Sequence, residues 1–102
     1  MVEINWTKQA VKDIDNIAEF IAKDSEYYAR IQVQRFFVST KILERFPRTG
    51  KIVQEKQDPL IREILVGSYR LIYKIINKTK IDILTVHHSK RLLKNNPHFK
   101  KK

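Results

Sequence analysis

Apolar positions change their spacing twice along this chain. Val2, Ile4 and Trp6 alternate with Glu3 and Asn5, the period-2 signature of a short strand. Thr7 is placed to cap a helix, and Ala10, Ile14, Ile17, Ala18 and Ile21 then recur at helical spacing. Lys12, Asp13, Asp15, Glu19 and Lys23 fall to the other side of that helix. Asp24-Ser25 stops it and caps a second helix, from about Ser25 to Phe46. Ala29, Val33, Phe36, Phe37 and Leu43 form one stripe of this longer helix; Ile31, Val38, Ile42 and Phe46 form a neighbouring one. So short a link makes the pair an antiparallel hairpin. Pro47 and Gly50 then stop and reverse the chain.

Beyond Gly50 the period returns to two. Ile52-Val53 opens a strand before the polar loop Gln54 to Pro59, and Leu60 to Val66 reads as the next strand. Gly67-Ser68 is a two-residue hairpin signal with glycine first. Tyr69 to Ile76 follows, Asn77 to Lys80 turns the chain, and Ile81 to His87 is the last strand. On the middle strand Tyr69, Leu71, Tyr73 and Ile75 share one face and read as core. Arg70, Ile72, Lys74 and Ile76 share the other, half apolar and half cationic, which suits a bound partner. The expected fold is α+β: an N-terminal strand and an antiparallel two-helix hairpin packed on a three- to four-stranded, mainly antiparallel sheet.

Length and charge refine this picture. A chain of 102 residues is one domain with one core. The reading assigns residues 1–94 to it, with a short basic element at Ser89 to Lys94, and 95–102 to a basic, flexible tail. Lys and Arg number 21 against 11 acids, a formal charge of +10, which favours anionic partners. Without cysteine there is no disulfide frame, no thiolate nucleophile and no ordinary zinc cage, and no metal or cofactor is expected. No apolar run nears the roughly 18 residues of a membrane span, and MVEINW is not a signal peptide, so a cytoplasmic protein with no membrane partner is expected.

Two ordered sets of residues resemble a known family. The first is Trp6-Thr7, Ala10, Asp13-Ile14, Ile17 and Phe20-Ile21. The second is Phe46-Pro47, Gly50-Lys51, Ile61-Arg62-Glu63, Val66-Gly67-Ser68-Tyr69-Arg70-Leu71-Ile72-Tyr73 and Val86-His87-His88 with Arg91. Together, from about residue 2 to residue 93, they look like the RelE/ParE superfamily, toxins of type II toxin–antitoxin modules of the kind that stabilise plasmids. The resemblance implies a toxin held silent by a cognate antitoxin, with operator DNA contacted indirectly through that antitoxin. ParE-like members poison DNA gyrase; RelE-like members cut mRNA in the ribosome. The REIxVGSYRxIY string and the HHxxR ending look more ParE-like. Arg70 sits where ribonuclease members carry a catalytic Arg, Glu55 near a Glu, and His87 and His88 near a His-Tyr pair. No tyrosine follows either histidine here, and the lysine cluster of RelE is absent.

Metal-free RNA cleavage needs a base, a cation for the developing phosphorane charge and an acid. His88 or Glu55 could serve as base, Arg70 as phosphate clamp and His87 as acid. Adjacent strand residues face opposite ways, so only one histidine can join Arg70, and parity leaves both open. Arg70 is also placed for a structural ion pair with Glu63 or Glu55. If the chain acts by binding, Arg62, Arg70, Ile72, Lys74 and Arg91 are the expected contacts to antitoxin or target. A basic nucleic-acid-binding module without toxicity is the third reading.

Overall fold

The computed structural model describes residues 1–89 of the chain. The order is β1 (Glu3–Trp6), α1 (Lys8–Ala22), α2 (Glu26–Lys41), a 3-10 turn (Ile42–Glu44), β2 (Lys51–Ile52), β3 (Ile61–Val66), β4 (Tyr69–Asn77) and β5 (Lys80–His88). The expected basic element after Ser89, with Arg91, and the 95–102 tail lie outside the described residues.

Local signals place the helices. Thr7 Oγ1 accepts from the Ala10 amide at 3.2 Å and donates to the Ile83 carbonyl at 2.6 Å, so one hydroxyl caps α1 and ties it to β5. Ser25 caps α2 by accepting from the Tyr28 amide at 3.2 Å. The second helix is shorter than its apolar pattern suggests. It tightens at Ile42 into the 3-10 turn, where Leu43 is fully buried while Ile42 and Phe46 stay exposed.

All five strands form one sheet in the order β1-β5-β4-β3-β2. It is mixed and larger than expected, because β1 joins its edge parallel to β5, from Glu3 opposite Lys80 to Trp6 opposite Ile83. The other pairings are antiparallel. Gly67 takes the positive φ (62°) that a glycine-first hairpin turn requires. On one face Leu71, Tyr73, Ile75, Ile81, Ile83 and Val86 meet Ala10, Ile14, Phe36 and Leu43 from the helical layer. That core face of β4 is the one its alternation predicts.

The opposite face is not open at its centre. Ile72 is fully buried with Val53, Ile61 and Leu84, a second small cluster sealed by the segment that follows β2. A β-bulge creates it. Ile72 pairs with Thr85 but Tyr73 pairs with Ile83, so Leu84 is the extra residue and turns away from the helices. Asp13 completes the bulge, accepting from the Thr85 hydroxyl and from the Val86 amide at 3.0 Å. Asp13 therefore faces the sheet, not the solvent side of α1 to which helical spacing assigns it.

Candidate functional site

The bulge settles which histidine joins Arg70. Counting by twos from Ile81 and Ile83 would send His87 toward the helices; the extra residue at Leu84 inverts the parity beyond it. His87 is therefore the direct cross-strand neighbour of Arg70 and is buried. His88 pairs with Tyr69 on the helical side, its ring edge-on to the tyrosine at 5.6 Å. Of the two, the structure brings only His87 to the Arg70 face.

Arg70 itself is clamped by carboxylates. Its Nη1 donates to Glu55 Oε2 at 3.2 Å and its Nη2 to Glu55 Oε1 at 3.3 Å, a bidentate fork. Nη2 also donates to Glu63 Oε2. The two acids differ in setting: the Glu63 side chain is 6% exposed, whereas that of Glu55 is 44% exposed. Lys51 Nζ lies 4.0 Å from Glu63 Oε1. These groups line a shallow depression of ≈ 500 Å³ together with Ile52 and Gln54. The charge of its lining balances, two cations against two carboxylates.

Charge pairing favours the ionised forms of Glu55 and Arg70. The Arg70 hydrogen bonds hold the Glu55 carboxyl below its usual range, and the positive influence of His87 adds to this. Burial pulls the Arg70 pKa down, but the bonds to Glu63 and Glu55 outweigh it and leave it raised. A carboxylate whose pKa is lowered is a poor general base near neutral pH. A phosphate entering the depression would have to displace Glu55 from the guanidinium and would still meet buried Glu63.

The remaining candidates scatter. Arg62 faces the reversal at residues 46–50, donating to the carbonyls of Pro59 (3.0 Å), Gly50 (2.9 Å) and Arg48 (3.4 Å). Ile72 is buried and out of reach of a partner. Lys74 is half-buried, between Ile61 and Asp82 on the flanking strands. Arg91 lies outside the described residues. Among the described residues no group of His, Asp and Glu is arranged to hold a metal ion. Sequence reasoning missed Asp13 as an organiser of this end of the sheet. Its signal is the Asp13-Ile14 pair, an acid beside the buried stripe of α1.

Comparison with known proteins adds the family. The family of the ParE toxin of the type II toxin–antitoxin system, parDE, matches over residues 4–93. A search of curated proteins gives no match. Among solved structures, a chain of the chromosomal ParDE toxin–antitoxin system from P. aeruginosa superposes with a TM-score of 0.70 at 21% identity, covering 86% of this chain and 96% of that one. A chain of the RelBE2 toxin–antitoxin complex from Mycobacterium tuberculosis gives a TM-score of 0.54 at 26% identity, covering 85% and 96%. The likeness of fold and the family match agree with the two ordered residue sets in the sequence. This chain belongs to the ParE toxin family of type II toxin–antitoxin systems.

Proposed function

We propose that this protein acts in the cytoplasm as a ParE-type toxin, poisoning DNA gyrase through a protein–protein contact and kept silent by a cognate antitoxin. The observation that carries this choice of target is the state of Arg70. The cation that the resemblance places for phosphate chemistry, Arg70, is already held by Glu55 and Glu63, and Glu55, a candidate base, is itself engaged in that pair. Such a cluster braces the segment between β2 and β3 against the sheet and leaves little to bind a scissile phosphate. A formal charge of +10 suits an acidic antitoxin and contact with a DNA-bound enzyme. No helix among the described residues is long and apolar enough to cross a membrane.

Expression of the chain alone should arrest growth and halt supercoiling, and co-expression of a cognate antitoxin should relieve both. Unimpaired growth would overturn the reading.

Ribosome-dependent mRNA cleavage is the second reading, because one observation favours it. Arg70, Glu55 and His87 do come together, and Arg70 Nε is buried without a hydrogen-bond partner among the described residues. Cleavage of messages in the ribosomal A site, abolished by Arg70→Ala, would establish that alternative.

A further inference from the structure

An apolar groove lies at the other end of β4 from Arg70. It has a volume of ≈ 900 Å³ and runs between the reversal after the 3-10 turn and the β4–β5 turn. Phe46, Leu60, Ile75 and Ile76 give it an apolar floor and wall. Phe46 is 61% exposed and Ile76 is 40% exposed, a high cost in water for side chains with nothing over them. Arg45, Arg48 and Lys78 stand exposed around the rim. No acid lines the groove, and none of these three cations makes an ion pair among the described residues.

The walls are fixed in advance. The Tyr73 hydroxyl donates to the Pro47 carbonyl at 2.6 Å and accepts from the Gly50 amide at 2.9 Å, while Arg62 holds the carbonyls of Arg48 and Gly50. Across the groove, Asn77 Oδ1 accepts from the Thr79 amide at 2.8 Å and from its hydroxyl at 2.9 Å, closing the β4–β5 turn. A preformed apolar trough loses little entropy when it is filled.

We propose that this groove docks an acidic amphipathic segment of the antitoxin, seating apolar side chains over Phe46 and Ile76 and carboxylates against Arg45, Arg48 and Lys78. The proposal rests on the toxin–antitoxin reading above and adds the site to it. Charge selects the occupant. A second copy of this chain would bring a formal charge of +10 to a cationic rim. Residues 90–102 of the chain itself carry six bases and no acid, so they are mismatched in the same way. An acidic segment is complementary, and its carboxylates would also speed encounter at low salt.

Titration calorimetry and stopped-flow binding with the acidic protein that serves as cognate antitoxin test the proposal. Ile76→Glu should weaken binding at least about 30-fold, and the double change Arg48→Glu with Lys78→Glu about 10-fold, with a flatter dependence of the on-rate on salt. Leu65→Glu, an exposed site on β3 outside the groove, should leave affinity unchanged. Unaltered circular dichroism and melting would certify the folding of each variant, the substituted side chains being exposed. Groove variants that keep wild-type affinity would overturn the proposal while leaving the toxin–antitoxin reading intact. Variants that lose toxicity yet bind the acidic protein normally would also overturn it, assigning the groove to the target. A wild-type chain that binds no such protein would end both.

Discussion

Two ends of β4 carry positive charge, and they handle it in opposite ways. At the Arg70 end the guanidinium is half-buried between two carboxylates and a buried histidine neighbour, so its charge is spent inside the molecule. At the Ile76 end, Arg45, Arg48 and Lys78 are exposed, unpaired among the described residues and set around apolar side chains. The first arrangement braces a loop. The second invites a partner. A basic residue in a sequence is therefore no guide to an available cation; the pairing that the fold imposes decides.

The sharpest way to break this contrast is to remove the buried partner of Arg70. Glu63→Ala should cost about 3 kcal/mol in chemical denaturation, toward the low end for a broken buried pair because Glu55 remains. A loss within experimental error would mean that Arg70 is solvated and free. Gly50→Ala comes next, at the point where the two regions meet. A Cβ there would lie 2.6 Å from the Glu63 carbonyl and 2.8 Å from the Tyr73 hydroxyl, so the backbone must shift, at about 2 kcal/mol. Thermal melting of the variant checks this.

Tyr73→Phe isolates the groove end. The phenol is buried, which raises its pKa, and its loss strands the Pro47 carbonyl and the Gly50 amide. About 1.5 kcal/mol should be lost, with exchange of the Gly50 amide hydrogen accelerated. The smallest effect belongs to Glu55→Gln, under about 1 kcal/mol because Glu55 is well exposed. Its sign with pH is definite. A carboxyl held below its usual pKa stabilises the fold above the ordinary glutamate range, near pH 4.3, and loses that contribution as the pH falls through its folded-state value. The gap between wild type and Glu55→Gln should therefore be full at neutral pH and vanish in acid. Its affinity for single-stranded RNA should stay flat; a rise of about 10-fold would favour the ribonuclease reading.

Much of the fold is written in local periodicity. The capped helices, the hairpin turn at Gly67 and the split of β4 into a tyrosine-bearing core face and a face carrying Arg70 all follow from spacings of two and of three to four. What periodicity cannot carry is the bulge at Leu84. One extra residue reverses every side chain beyond it, which is why the placement of His87 and His88 was undecidable from parity. The same bulge needs Asp13 turned inward, against the apparent polarity of α1. The burial of Ile72 depends on Val53 folding back over the sheet, a contact of two residues far apart in sequence. Glu63 and Glu55 were both foreseeable as partners of Arg70; that they act together was not, since Glu55 arrives from a loop.

We propose that this ParE-family chain works by engaging a protein and not by cutting RNA. The most direct measurement is supercoiling by purified gyrase in the presence of excess chain, run beside a translating-ribosome assay that maps mRNA ends. Supercoiling should fall while the message stays intact. Unimpaired supercoiling together with A-site cleavage that Arg70→Ala abolishes would contradict it.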